Sequence, residues 1–368
     1  MPETTLGRGS TPTLAAAGRR LGARWAGRNW PVLFLLLEVA VFAAAGTRFL
    51  SLENLQNILV ACLPILLLGM GETFVIITGG IDLSVGFVMG FATVICAKAM
   101  VLLQAAGLPP GASIPLAALI CLAVGAVPGL VNGTLVARLR VPPFLATFGM
   151  YGIAYGVSEI VSENTPISGL PHAAGVLGND YILYVLPGRF TTFFARPQNL
   201  DVRDMRSMLS ILPTIVIAVV LFVAAFAFIL RRTRFGQHTY AIGGSIDAAT
   251  RAGINVPRHL TATYIISSCF ASLSGIMYVL KYVTGRADAG SARMLDSVVA
   301  VVIGGASLYG GTGSVKGTII GSLIIATLET GMVNLGVPSH NRYIAIGLIL
   351  VLAVLIDQFF PDLIGRGE

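Results

Sequence analysis

Residues 231–260 read RRTRFGQHTYAIGGSIDAATRAGINVPRHL and form a polar, basic stretch in an otherwise apolar chain. The stretch holds five arginines and two histidines against a single acid, Asp247. Short loops rich in Lys and Arg stay cytoplasmic, so this composition predicts a cytoplasmic loop and orients the segments on either side of it. Within the loop, Ser245 as N-cap, the run Ile246–Ala252 and Gly253 as C-cap predict a short helix. A capped helix in such a loop offers a surface on which a soluble partner can act.

The composition is that of an integral membrane protein. Of 368 residues, 55% are hydrophobic and 11% are charged, whereas soluble domains carry about 25% charged residues. The formal net charge is +7, but the basic residues concentrate between apolar runs and are not interleaved with aromatic residues, so no nucleic-acid partner is expected. The four cysteines are scattered through apolar runs without redox or metal-ligand spacing, and we expect them to be small core residues.

Ten apolar runs, most of them about 20 residues long, predict an all-α integral membrane protein, a polytopic helix bundle of about ten transmembrane helices. An even number of spans puts both termini on one side, and the arginines of residues 1–30 place that side in the cytoplasm. The predicted organisation is a disordered basic tail over 1–30, one transmembrane domain over 31–360 and a cytoplasmic tail over 361–368. The runs are 31–48, 56–78, 84–105, 114–137, 143–161, 209–230, 261–282, 296–309, 315–334 and 342–360, of which 296–309 is short and interrupted by glycine.

The alternating direction of the spans places residues 162–208 outside the cytoplasm. These residues form the longest polar connection and carry charges of both signs. The apolar patch YILYVLPGRFTTFF (181–194) within it is too short and too broken to cross a bilayer. An extracytoplasmic lid or a short interfacial helix fits this pattern. The alternative is a flexible insertion without a fixed structure.

Two stretches interrupt the predicted helices at membrane depth, and the first is GETFVIITGGIDLSVG (71–86). Gly79 and Gly80 end a helix, Asp82 follows, and Ser84 can cap the next span. A carboxylate at the edge of an apolar run is costly unless it caps a helix or is paired. We therefore expect Asp82 to satisfy free N–H groups at the start of the following helix. Direct contact with a substrate is the alternative.

The second broken stretch is VVIGGASLYGGTGSVKG (301–317). Its glycines Gly304, Gly305, Gly310 and Gly311 join two apolar runs, and a serine caps the second run. The two broken stretches look like weak copies of each other, which suggests an internal duplication. Paired, glycine-broken spans in both halves of a membrane protein point to a transport path. Because glycine tolerates large dihedral changes, both breaks are candidate hinges.

Catalytic patterns are missing from the sequence. It contains no GxxxxGK[ST] phosphate loop, no HExxH zinc pattern and no GxSxG nucleophile elbow, and its four histidines are dispersed. Glu72 and Glu329 are the deeper intramembrane carboxylates, and each either faces an aqueous path or pairs inside the bundle. We therefore predict a chain with no catalytic residues, no metal site and no bound cofactor of its own.

Several stretches together carry a family resemblance. GETFVIITGGIDLSVG, RRTRFGQHTYAIGGSIDAATRAGI, GGASLYGGTGSVKGTIIG and the closing YIAIGLILVLAVLID resemble, in this order, the permease subunits of ribose-type sugar ABC importers. The resemblance runs from about residue 50 to about residue 360, and the first two stretches are quite specific. The arginine-rich N-terminal extension and the long 162–208 connection depart from the family pattern.

This resemblance implies a type II ABC-importer-like permease in the bacterial cytoplasmic membrane. It would form a homodimer, bind ABC ATPase subunits that hold ATP and Mg, and accept sugar from an extracytoplasmic sugar-binding protein. The capped helix then corresponds to the coupling helix, and its Ala-Ala-x-x-x-Gly core is formed by Ala248, Ala249 and Gly253. The whole coupling set is Ser245, Asp247, Ala248, Ala249, Arg251 and Gly253.

The outward loops near 48–55, 162–208, 283–295 and 335–342 would meet the binding protein. Arg286, Arg293 and Arg342 are the candidates for pairing with its acidic lobes. The weakly polar path suits a neutral monosaccharide or polyol, such as a pentose, a hexose or an inositol, and a charged substrate is disfavoured because no ring of like charge is evident.

Two other classes of protein remain open at this stage. An ion-coupled secondary transporter of a small polar solute would also have broken spans and repeats. It would not need a capped, basic cytoplasmic helix, and it would usually carry more ionisable groups at mid-membrane. An integral-membrane enzyme would show His, Asp or Cys clustered at ligand spacing, and the sequence shows no such cluster.

Overall fold

The computed structural model describes residues 14–194, 196–197, 200–201, 204 and 207–359. These residues form a bundle of helices with one small antiparallel sheet, so the predicted polytopic helix bundle is confirmed. The helices are α1 (Leu14–Ala45), α2 (Leu52–Ile77), α3 (Val85–Ala105), α4 (Pro110–Ala137), α5 (Pro143–Ser162), α6 (His172–Asn179), α7 (Thr214–Arg232), α8 (Arg234–Gly244), α9 (Ile246–Arg251), α10 (Val256–Tyr282), α11 (Arg293–Ile303), α12 (Val315–Asn334) and α13 (Ser339–Phe359). The strands are β1 (Tyr181–Leu186), β2 (Phe190–Phe193) and β3 (Leu209–Pro213).

Helix α2 lies at the centre of the bundle. In the most apolar 18-residue window of α2, 83% of the window is buried. The buried share of the corresponding window is 72% in α3 and 61% in α10. A helix that is apolar on every side is buried in this way, whereas a helix on the rim of a membrane bundle turns one apolar face to lipid. Helices α4, α5 and α7 bury a third or less of the same window and form that rim. Among the described residues, seven helices are long and apolar enough to cross a membrane.

Helices α4 and α10 pack closely through small residues. A Cβ atom added to Gly129 would lie 2.3 Å from the backbone oxygen of Tyr264, and one added to Gly133 would lie 2.6 Å from the Cα of Thr261. The backbones therefore approach too closely for a larger residue. The tight packing that small-xxx-small spacing predicts for Gly125, Gly129 and Gly133 is confirmed.

The predicted run 296–309 is not a complete span. Its helix is α11, whose 11 residues cover about 16 Å, roughly half of a bilayer core of about 30 Å. The segment before α11 is irregular and lies along the first half of α3. Ala287 lies against Gly90 there, and Gly290 lies against Gly86. Irregular backbone at membrane depth is tolerated because it is covered by protein. The segment and α11 together replace the predicted helix.

Part of the 162–208 connection is folded. Helix α6 is followed by a three-stranded antiparallel sheet in the order β2-β1-β3, in which Leu183 pairs with both Phe193 and Ile211. This sheet was not predicted from the sequence. A span was predicted to start at residue 209, whereas 209–213 is strand β3 and α7 begins at Thr214. Pro213 stands at that boundary because proline is tolerated where a helix begins.

The predicted tails fall partly outside the described residues. Residues 14–30 of the predicted disordered tail form the first part of α1, so the helix begins well before the apolar run at 31–48. Residues 1–13 and 361–368 lie outside the described part of the chain.

Candidate functional site

The two broken segments meet each other. The backbone N–H of Gly311 donates to the backbone oxygen of Ile77 over 2.9 Å, and a Cβ atom on Gly310 would lie 2.9 Å from the nitrogen of Gly79. The connection from α2 to α3 is therefore bonded to the connection from α11 to α12. Gly79, Gly310 and Gly311 have φ values of 81°, 88° and 76°, a region that residues with a side chain rarely adopt.

Helix α8 contributes a third chain segment at the same point. A Cβ atom on Gly243 would lie 1.8 Å from the backbone oxygen of Ile77 and 2.5 Å from the nitrogen of Gly311. Only glycine fits this position, because no side chain can enter so narrow a gap. We name the contact of Ile77, Gly79, Gly243, Gly310 and Gly311 the glycine junction.

Tyr240, one turn before Gly243, adds a side-chain contact to the same connection. Its hydroxyl donates to the backbone oxygen of Gly313 over 2.8 Å. Burial raises the pKa of Tyr240 above its ordinary value, because the charged phenolate is disfavoured away from water. The hydroxyl therefore remains protonated and able to donate.

The predicted cap of the short helix is confirmed. The Ser245 hydroxyl accepts the N–H of Ala248 over 3.2 Å, and α9 then runs over Ile246–Arg251, one residue shorter than predicted. Gly253 has a φ of 82° and closes the turn, as expected of a glycine after a helix. Asp247 lies in the first turn and Arg251 in the last, where their charges complement the helix dipole.

The two alanines of the predicted coupling core do not share one face. Ala248 is exposed, but Ala249 is 3% exposed and packs in a small core with Ile242 and Val256. Ala249 therefore faces the inside of the protein and Ala248 faces outward, and the coupling role of both alanines stays a prediction. Ile246, with an exposed fraction of 52%, contributes to the outer surface of α9 instead.

Helices α8 and α9 are joined without an intervening loop. Ser245 is both the C-cap of α8 and the N-cap of α9. Helix α9 is thereby connected through this cap to Gly243, two residues earlier, which contacts both broken segments. Gly243 was not predicted as a site residue. The Gly243-Gly244 pair just before the predicted cap was the only signal for it in the sequence.

Asp82 ties the first break to neighbouring helices. It is fully buried, and its carboxylate accepts the Ser84 N–H over 3.0 Å, the Ser84 hydroxyl over 2.5 Å and the Ser267 hydroxyl over 2.8 Å. The Ser84 hydroxyl in turn accepts from the Asn132 amide over 3.0 Å. Asp82 thereby links the start of α3 to α10 directly and to α4 through Ser84.

These contacts correct one detail of the sequence analysis. Ser84 stands at the N-cap position of α3, but its side chain makes no capping hydrogen bond. Asp82 takes the free N–H of Ser84 instead. This arrangement favours the structural role expected of Asp82 over direct contact with a substrate, and both roles stay predictions.

Asp82→Ala is expected to lower the yield of folded protein strongly. The change leaves three donors without their acceptor, and each buried donor left unpaired costs about 1–3 kcal/mol. Asp82→Asn keeps one acceptor oxygen and is expected to fold substantially better. Thermal unfolding of the purified variants in detergent measures the difference. A well-folded Asp82→Ala with altered substrate preference would contradict the structural role.

The two deep carboxylates have different surroundings. Glu329 accepts from Arg293 over 2.6 Å, so it pairs inside the bundle. Glu72 is fully buried, and within the described part of the chain its carboxylate oxygens have no hydrogen-bond partner.

The three predicted docking arginines do not share one environment. Arg293 begins α11 and donates to Asp296 over 3.1 Å and to Glu329 over 2.6 Å. Arg342 lies in α13, 3.9 Å from Glu329. The expectation that these two arginines lie in outward loops is therefore wrong.

Arg286 lies in an irregular segment, as expected. Its guanidinium is about half exposed and pairs with Asp288 over 2.9 Å. Its backbone N–H donates to the Thr93 hydroxyl over 2.9 Å, which fixes the segment against α3. The docking role of all three arginines stays a prediction.

No metal centre accompanies these features within the described ranges, where no group of three or more His, Cys, Asp or Glu side chains could hold an ion. The arrangement joins helices through backbone contacts, and a capped helix is exposed at one end.

Residues 54–354 of the chain match the family described as branched-chain amino acid transport system / permease component. The match covers nearly all of the helical bundle, including both broken segments and helices α8 and α9. No solved structure matches the chain at a significant level.

Curated relatives match along almost the whole chain. A fructose import permease protein of Rhizobium meliloti is 34% identical over 331 residues, which cover 89% of this chain and 84% of the relative. A ribose import permease protein of Escherichia coli is 34% identical over 350 residues, covering 94% and 98%. A xylose transport system permease protein of Haemophilus influenzae is 32% identical over 370 residues, covering 89% and 96%.

Proposed function

The chain belongs to the family of branched-chain amino acid transport system permease components, and from this premise we propose that it is the membrane-spanning permease subunit of an ATP-driven sugar importer. Relatives named as import permeases for fructose and ribose, and one named as a xylose transport system permease, support the proposal. The ion-coupled secondary transporter is disfavoured, because its class does not require the capped helix that this chain carries.

The observation that carries the proposal is the chain of contacts from α9 to the glycine junction. A capped helix exposed at one end of the bundle is joined through Ser245 to α8, and Gly243 of α8 touches both broken segments. A partner that moves α9 therefore acts directly on the two places where helices are interrupted. This connection can switch the transport path between outward and inward access only if the partner binds the two access states with different free energies.

The proposed partner at α9 is an ABC ATPase subunit, which holds ATP and Mg. The permease itself would bind no cofactor and hydrolyse no nucleotide. The exposed Arg251 and Arg258, in and just after α9, would pair with acidic side chains at the rim of the ATPase, steering its approach more than adding affinity. A second copy of the permease would complete a homodimer with one α9 for each ATPase copy.

The orientation follows from the same helix. The basic segment around α9 would be cytoplasmic, and both termini would lie on that side. The amide of Gln56 at the start of α2 donates to the backbone oxygen of Ser210 in β3 over 2.5 Å, whereas the glycine junction includes Ile77 at the end of α2. The sheet and α9 therefore lie at opposite ends of α2. The sheet would face the extracytoplasmic sugar-binding protein, with the chain in the bacterial inner membrane.

The proposed substrate is a monosaccharide or related polyol. Reconstitution of the permease with its ATPase in liposomes tests this, with labelled ribose, xylose, fructose, galactose and inositol offered through the binding protein. Uptake of at least one of these solutes is expected to require ATP, the ATPase and the binding protein together. Accumulation by the permease alone along an ion gradient would support the secondary transporter and contradict the proposal.

A further inference from the structure

Helices α2, α7 and α12 enclose a cavity of about 610 Å³ at the rim of the bundle. Its lining is mostly apolar, and on α7 it extends from Val220 to Arg231. These positions are 11 residues apart, which corresponds to about 16 Å along the helix. Half of a bilayer core is about 15 Å. The cavity therefore has the length of one leaflet.

One end of the cavity is positively charged. Arg231 and Lys316 line that end together with Tyr240 and Ser314, and none of the described lining residues is acidic. Both cations are exposed, and neither forms an ion pair with any described residue. Lys316 lies in the first turn of α12, where the helix dipole adds partial positive charge. An anion is the complementary ligand for this end.

We propose that the cavity binds one anionic phospholipid. Its phosphodiester lies between Arg231 and Lys316, and an acyl chain occupies the apolar part between α7 and α12. A soluble anion would leave the apolar part empty, and a neutral apolar molecule would leave both cations unpaired. Basic sites between transmembrane helices at the cytoplasmic surface bind anionic head groups on the same physical basis. This inference depends on the proposed function only for placing the site in the cytoplasmic leaflet. Arg231 lies next to α8, which leads into the proposed cytoplasmic helix α9.

The charge requirement is tested on the assembled transporter in nanodiscs that contain phosphatidylethanolamine and phosphatidylglycerol. The phosphatidylglycerol that stays bound after extraction in mild detergent is counted by native mass spectrometry. One basic residue near a membrane surface contributes about fivefold in affinity, so the double variant Arg231→Gln/Lys316→Gln should retain about 25-fold less. The matched variant Arg232→Gln/Arg234→Gln removes the same charge outside the cavity lining and should retain the wild-type amount. Equal loss in both variants would overturn the proposal.

The steric requirement is tested with two neighbouring alanines of α7. Ala224 lines the cavity and Ala225 does not. Ala224→Trp should fill the acyl-chain space and release the lipid, whereas Ala225→Trp should not. Co-purification of the ATPase with both variants shows that the fold persists.

Three outcomes would contradict a lipid site of this chemistry. The first is retention of phosphatidylethanolamine equal to that of phosphatidylglycerol in the wild type. The second is displacement of the lipid by millimolar inorganic phosphate, which would identify a simple anion site. The third is loss of ATPase binding in Ala224→Trp with unchanged lipid retention, which would assign the cavity to a protein partner.

Discussion

Gly243→Ala is expected to abolish sugar uptake, whereas Gly244→Ala is expected to leave uptake close to the wild-type rate. The added Cβ of Gly243→Ala would lie 1.8 Å from the backbone oxygen of Ile77 and 2.5 Å from the nitrogen of Gly311. Those two atoms are the acceptor and donor of the hydrogen bond between the two breaks. Both neighbours are backbone, so the clash is relieved only by moving α8 away from the glycine junction.

The adjacent glycine provides a matched control. A Cβ atom on Gly244 would meet nothing within 4 Å, so the change adds the same methyl group at the end of the same helix without contact. Overpacking in a close-packed region costs about 1–3 kcal/mol, and separation of the breaks loses a further hydrogen bond of about 1 kcal/mol. Uptake in reconstituted liposomes should fall at least tenfold for Gly243→Ala, a factor that corresponds to about 1.4 kcal/mol.

Membrane insertion and ATPase binding distinguish a mechanical defect from misfolding. We expect Gly243→Ala to be inserted and to bind the ATPase, because α9 and its cap are not touched by the change. Hydrolysis that no longer responds to the binding protein would show that α8 has lost contact with the broken segments. Wild-type uptake by Gly243→Ala would exclude the glycine junction as the route of coupling.

The elements that local chemistry determines could be predicted from the sequence. The Ser245 cap depends on a side chain three residues from its donor, and the turn at Gly253 depends on the freedom of one residue to adopt a positive φ. The glycine breaks are visible because glycine and serine interrupt long apolar runs. Span lengths follow from the same runs, since a bilayer of fixed thickness requires about 20 apolar residues.

The contacts between distant segments could not be predicted in this way. Gly243 meets Ile77 across more than 160 residues, and nothing near either residue specifies the other. Arg293 was predicted to lie in a loop because the apolar run begins only at residue 296, and nothing near Arg293 specifies its partner Glu329 on another helix. The run at 296–309 has the composition of a span, yet the chain reaches α11 through an irregular segment that only its packing against Gly86 and Gly90 makes possible.

Gly253→Trp is expected to uncouple ATP hydrolysis from uptake. A Cβ atom on Gly253 meets nothing within 4 Å in the chain itself, so an indole at this position would project from the turn after α9. The proposed ATPase approaches this surface, and the indole would hold the two proteins apart. Uptake should fall at least about tenfold, while the permease still reaches the membrane.

Gly107→Trp is the matched control, because Gly107 has a φ of 87° against 82° for Gly253 and also meets nothing within 4 Å. Both changes impose the same backbone strain, about 1–2 kcal/mol for a side chain at positive φ. Helix α3 begins at the first break and leads away from it, and Gly107 follows the far end of α3. The indole of Gly107→Trp therefore lies far from α9. Loss of uptake in Gly253→Trp alone would therefore report on the partner surface and not on strain. Equal loss in both variants, or normal transport by Gly253→Trp, would exclude α9 as the place where the ATPase acts.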